Sequence, residues 1–443
     1  MKNVLKLGKL GAVALALTAS SVSNALVLTT GWSQNPDTEL AVQEALNKII
    51  TKKKGPNLDP KFTLDPKFTL VYTTSHHNSQ TLVDALHKTF PNDTLYGMQS
   101  QHGVMTEEGI HLMKTDGKEH GALAIMVFEG DITVSAGAIS ADPKDFELVR
   151  TRSEEMTNKI KTAFKNQTPD LILSAGQLNA TYSVLQNLKG LHEKGARLIG
   201  GATVKKDWTY GQVFVNDRVY ENGFGVAFLK MKKSKVGTYM HSGFVGQQKS
   251  GIVTQIEKDR LYTIDERPAA DVYREWAGPK IANQLVAKDY GKPVPQITTS
   301  NPFARRLKTA EGETFIAISP YIFHADKSIT IGLLMEKGDR ISYIAGSKKA
   351  LVNRTKVIPK RAMLNGKISY SELAGGIHIY CAGAGYHVGV GTTGAGTKIA
   401  DYVSKAMQKK PLIGTFSHSE QGTVPGKGFY DGNLMSSIAV FSE

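Results

Sequence analysis

Residues 238–276 read TYMHSGFVGQQKSGIVTQIEKDRLYTIDERPAADVYREW. Tyr239, His241 and Gly243 lead into Val253-Thr254-Gln255, whose alternation of apolar and polar residues predicts a strand. Lys258-Asp259-Arg260 predicts a turn, and 261–264 a second short strand. Pro268 then predicts the start of a helix, because a first-turn residue has no intrahelical partner for its N–H. Strand, strand and helix in this order read as part of an α/β chain.

The same alternation runs outward on both sides. Towards the N-terminus, strands are expected at 26–30, 70–74, 122–128, 171–174 and 197–199. Helices are expected from Asp37 or Thr38 to about Lys52, after Ser79, and at 180–194. Thr151 and Glu154 have capping-box spacing and predict a helix running to about Asn166. Gly200-Gly201 reads as a turn, 212–231 as a hairpin, and 231–236 as a linker. Towards the C-terminus, strands are expected at 314–319, 329–334, 341–345, 377–381, 412–417 and 437–441. Residues 397–408 predict a helix, and 291–301, with its two prolines, an exposed connector. LDPKFT at 58–63 recurs letter for letter at 64–69, as expected of a duplication absorbed by a loop.

A chain of 443 residues is too long for one core, so two lobes of mixed β-sheet flanked by helices are expected, at 26–230 and 237–443. Residues 1–25 read as a signal peptide. Lys2, Lys6 and Lys9 make a basic start, GAVALAL at 11–17 an apolar core, and Ser23-Asn24-Ala25 a cleavage site. That core is far shorter than the roughly 20 residues a membrane helix needs. A periplasmic or secreted protein cleaved after Ala25 is therefore expected. Cys381 is the only cysteine, which excludes an internal disulfide. The formal charge of +14 is scattered, with no nucleic-acid-binding motif, so it suggests anionic ligands or an anionic envelope rather than nucleic acid.

Little of the sequence points to catalysis. Gly389-Val390-Gly391-Thr392-Thr393-Gly394 matches the dinucleotide fingerprint, but about seven residues separate it from the strand ending at Cys381. A glycine loop beside a ligand cleft is the expectation there. No zinc spacing and no nucleophile elbow occurs, and Cys381, flanked by apolar residues, reads as a buried thiol. In 414–422, GTFSHSEQG, the alternation places His418 and Glu420 on one face, able to grip a ligand amine or hydroxyl.

The ordered motifs resemble the FIST domains, α/β sensory modules of signalling proteins. The resemblance rests on Gly31-Trp32-Ser33, the spaced glycines of 97–109, Gly200-Gly201-Ala202, His241-Ser242-Gly243, Val253-Thr254, Pro268-Ala269, Val272-Tyr273, Gly338-Asp339, 411–420 and Asn433. It implies a non-enzymatic sensor of a small ligand, anionic or amino-acid-like, read out by an envelope signalling partner. Its pocket would lie between the lobes, lined by Gly200, Gly201, His241, Gly243, Thr254, His418, Ser419 and Glu420. No cofactor is required; a haem held non-covalently by a histidine is one alternative, and a hydrolase using His418 and Glu420 another. The family's arginine after Cys381 is replaced here by Ala382-Gly383-Ala384, which implies a different ligand if that arginine holds an acidic group. No appended output domain is expected.

Overall fold

The computed structural model describes residues 25–54, 64–115, 118–142, 145–207, 209–391 and 394–443. The signal-peptide expectation and the first copy of LDPKFT lie outside these residues. Four mixed or antiparallel sheets flanked by helices build an α/β fold. Parallel pairs arise where a helix carries the chain back across the sheet, as antiparallel hairpins cannot. Strands Phe68–Thr74 and Thr94–Ser100 are joined in this way through helix Ser79–Thr89, and Leu171–Gly176 and Arg197–Ala202 through Leu178–Glu193. In the C-terminal half, Leu373–Cys381 and Leu412–Ser417 are joined through Ala382–Val388 and Gly394–Ala406.

The two halves exchange strands. Glu420–Val424 and Gly428–Gly432 leave the C-terminal half and extend the sheet of Arg197–Ala202, pairing Gly201 with Glu420 and Gly200 with Gln421. Conversely, Gly103–Thr106 and Gly109–Leu112 extend the sheet of Leu412–Ser417. One apolar core, including Phe68, Phe128, Leu173, Ile199, Ile377, Ile379 and Phe441, runs through both halves. Buried polar groups accompany it where the strands are exchanged, Gln421 bonding Thr181 at 3.0 Å and Ser437 at 2.9 Å. The fourth sheet, built around Val245–Glu257, Phe303–Thr309 and Arg340–Ala345, packs on helix Ala269–Ala277 through Tyr273, Phe303 and Phe323.

Several expectations change. Gly200 and Gly201 are not a turn but the middle of strand Arg197–Ala202. A Cβ on Gly201 would stand 2.5 Å from the Ser417 Cβ, so only glycine lets the two sheets come this close. The helix expected after Thr151 starts at Phe146, capped by Asp145, whose Oδ1 accepts the Leu148 N–H at 2.9 Å. Val149, Ser153, Met156 and Ile160 bury one stripe from its first turn, which outweighs the later capping-box pair. Residues 291–301 are not an exposed connector: Val294 and Ile297 join the Tyr273 core, and Thr298 and Thr299 are buried. The residues separating Cys381 from Gly389 form helix Ala382–Val388, closed by Gly389 at φ 78° and followed by Gly391 at φ 84°. The glycines therefore follow a helix, where a dinucleotide turn would have to follow a strand directly.

Candidate functional site

Chain geometry at 417–420 follows from the strand exchange. After Ser417 the backbone crosses from one sheet to the other, and Ala202 clamps the crossing. Ala202 N donates to Ser419 O at 2.7 Å, and His418 N donates to Ala202 O at 3.0 Å. The crossing turns Glu420 inward, with no exposure to solvent. Its Oε1 accepts from Ser417 Oγ at 2.7 Å and its Oε2 from Met435 N at 2.8 Å, while the Cys381 thiol also bonds to it. Burial pushes the Glu420 carboxyl up to about 8, against those hydrogen bonds and the nearby Arg354 charge. At neutral pH it is mostly a neutral acid. Burial, reinforced by Glu420, raises the Cys381 thiol far above its ordinary range, so it is inert as a nucleophile.

Arg354 lies below this cluster, 3% exposed. Its Nη1 donates to Ser242 O at 2.6 Å and to Leu434 O, and its guanidinium stacks 4.5 Å from the Tyr380 ring centroid. A Cβ on Gly243, at φ 78°, would meet the Arg354 Cδ at 3.0 Å, so this glycine leaves room for the buried cation.

His418 faces the other way. Its Nε2 and the Tyr321 hydroxyl share a hydrogen bond of 2.7 Å, with the rings edge-on at 6.0 Å. Burial lowers its pKa to about 4 and raises that of the Tyr321 phenol, so both are neutral. Tyr321, His418 and Asn433 line two hollows at once. The inner one, of about 20 Å³, holds no more than a water and reaches Cys381 and Ser319. The outer one, of about 190 Å³, opens towards Tyr182 and Tyr210 of the first half, and Asp259 and Asp431 of the second. Asn433 is fixed between them, accepting from Ser319 N at 3.0 Å and donating to Gly332 O at 3.3 Å. Burial also raises the Asp431 carboxyl, in part offset by Arg305.

Of the residues expected to bind ligand, the structure brings together Gly200, Gly201, His418, Ser419 and Glu420, but only His418 lines the hollows. His241 lies in strand Val236–His241 beside Arg354 and lines neither hollow; burial and Arg354 hold its pKa at about 4. Thr254 is elsewhere, bridging Thr263 Oγ1 at 2.7 Å and accepting Glu266 N at 3.0 Å inside its hairpin. Tyr321, Tyr182, Tyr210 and Asp431 carry no motif and escape sequence reading. Asp259 reads only as a turn residue, and Asn433 only as part of the resemblance.

Chemically, a base near pKa 4 bonded to a raised phenol is poorly matched to proton transfer at neutral pH. Nor do these residues fit a haem: His418 is engaged by Tyr321, and the outer hollow is below the roughly 300 Å³ at which drug-sized sites begin. Among the described residues no group of three or more His, Cys, Asp or Glu could hold a metal. No helix among them is long and apolar enough to cross a membrane.

No protein of curated function matches the chain. A solved structure titled "Structure of PurLQS from Thermotoga maritima" is 9% identical over 94% of this chain and 72% of its own, with a TM-score of 0.22, too low to carry any argument. The model of the FIST N domain matches residues 67–267 and that of the FIST C domain residues 269–423, and the chain belongs to the FIST family.

Proposed function

We propose that this protein is an exported sensor that binds a small amine-bearing ligand, amino-acid-like in size, in the outer hollow at Tyr321, His418 and Asn433. FIST domains are sensory domains linked to signal transduction. One observation carries the reading: the hollow is walled by both halves and by the segment that crosses between their sheets. A ligand seated there touches Tyr182 and Tyr210 on one side and Tyr321 and Thr330 on the other. Its binding energy therefore bears on how the halves sit, which is what a sensor needs. Two carboxyl groups, three phenols and no lysine or arginine line the hollow, which favours an ammonium group over a carboxylate. The same lining supports binding over turnover, since no activated nucleophile stands in it.

Export rests on the basic, apolar and small-residue order of residues 2–25, and an envelope partner would read the bound state. Native mass spectrometry of the purified protein, followed by calorimetric titration with amino acids and simple amines, tests the binding. A retained or titrated amine whose affinity drops tenfold or more in Asp259→Asn upholds the proposal. Indifference of that variant, or preference for a carboxylate lacking an amine, overturns it. N-terminal sequencing of protein from the periplasmic fraction tests export; a chain still starting at Met1 refutes cleavage after Ala25.

A further inference from the structure

Helix Ile358–Gly366 buries Ile358, Pro359, Ala362 and Met363 and leaves its opposite face uncovered. The exposed positions Val357, Lys360, Arg361, Leu364 and Lys367 recur at spacings of three and four, forming one stripe. Leu364, at 69%, is the most exposed large hydrophobic side chain of the described residues, and Val357 and Tyr370 are exposed beside it. Next to the stripe lies a shallow basin of about 410 Å³, walled by Lys356, Lys360, Tyr370, Tyr402 and Lys405. Lys356 holds its ammonium 4.0 Å from the Tyr402 ring centroid, and Arg361 faces Glu311 at 3.5 Å. Among the described residues, Lys360 and Lys405 have no ion-pair partner. Asp401 is the single carboxylate of helix Gly394–Ala406, and among the described residues no carboxylate lines the basin.

Unpaired ammonium groups alone would suit any polyanion. Exposed aliphatic and phenolic groups interleaved with them suit a surface offering both negative charge and hydrocarbon. We propose that this face docks on an anionic lipid bilayer. Lys356, Lys360 and Lys405 meet the headgroups, Leu364 and Val357 enter the acyl boundary, and Tyr370 and Tyr402 sit at the interface between them. The docking is peripheral and reversible, set by about fivefold in partition for each lysine near the charged surface. It is independent of the hollow at His418.

Co-sedimentation of the full chain with vesicles tests this, comparing phosphatidylcholine alone with phosphatidylcholine mixed with phosphatidylglycerol. Binding to the mixed vesicles only, weakening as salt is raised, is expected. Lys356→Glu/Lys360→Glu/Lys405→Glu should lose roughly 100-fold or more in partition with an unchanged circular dichroism spectrum. Leu364→Ser, a surface change that keeps every charge, should lose several-fold; this variant separates a bilayer from a soluble polyanion. No binding to the mixed vesicles, full binding by the triple variant, or binding indifferent to Leu364→Ser and abolished by free polyphosphate would each overturn the proposal.

Discussion

Two polar clusters lie back to back at the strand crossing, and they obey opposite rules. The inner one, with Glu420, Cys381, Ser417 and Arg354, is buried and meets only a water-sized hollow at Cys381. Most of its polar groups bond one another or the backbone, while Arg354 Nε and Nη2 have no hydrogen-bond partner among the described residues. The outer one, with Tyr321, His418, Asn433 and Asp259, faces a hollow and leaves polar surface for something else. The inner cluster sits where the chain passes from one sheet to the other, whereas the outer cluster is where recognition can occur. Polarity and burial alone do not mark a binding site; an adjoining void larger than a water does.

The difference can be broken in order of decreasing effect. Gly201→Val puts branched carbon into Ser417 at the sheet junction and should cost about 3 kcal/mol or more, read by urea unfolding. Both clusters should fail together, because they share that junction. Glu420→Gln separates them by pH. Glu420 titrates at about 8 when folded against an ordinary value near 4.5, so the folded state holds its proton longer than the unfolded chain. The stability from this group is complete below pH 4.5 and is lost as pH rises through 8. Buried His77, His241 and His418, lowered to about 4, act below pH 6.5 with the opposite sign. Between pH 6.5 and 8 Glu420 contributes a fall on the order of 2 kcal/mol. The Gln variant should flatten it in unfolding curves measured across that window; an unchanged slope contradicts a neutral buried acid.

Tyr321→Phe removes the hydrogen bond to His418 and should cost about 1 kcal/mol, with a further loss of ligand affinity in calorimetry. Thr254→Val removes two hairpin hydrogen bonds, with Thr263 Oγ1 and from Glu266 N, at a half-buried position; it should cost about 1 kcal/mol and leave ligand affinity unchanged. Any effect of this variant on binding would return Thr254 to the site.

Much of this architecture was legible from periodicity. The helix beginning near Thr38 buries Val42, Ala45, Leu46 and Ile49 as its spacing requires, and 412–417 is a strand to the residue. Strand Ile132–Ser140 was not legible. As the edge of its sheet it is only partly buried, so its sequence, ITVSAGAIS, lacks a strong alternation. Gly200-Gly201 misleads for a related reason. Glycine usually signals a turn, but here it serves the close approach of Ser174 from the neighbouring strand and Ser417 from the other sheet, which depends on partners far along the chain. The candidate site was legible only in part: His418 lines it from the bend at 418–419, facing away from Glu420 rather than sharing one face with it. Its aromatic and acidic wall was not, because Tyr182, Tyr210 and Tyr321 meet only through sheet packing.

The strand exchange also sets an order of events during synthesis. The sheet containing Ile199 acquires its partner only when Gly422 is available, close to the end of the chain. A ribosome that stalls anywhere before that point carries a nascent chain with an unpaired strand edge, open to wrong partners. Cutting the gene at the junction of its two domains therefore yields two fragments that each lack a neighbour, and co-expressing them is the way to recover a folded product.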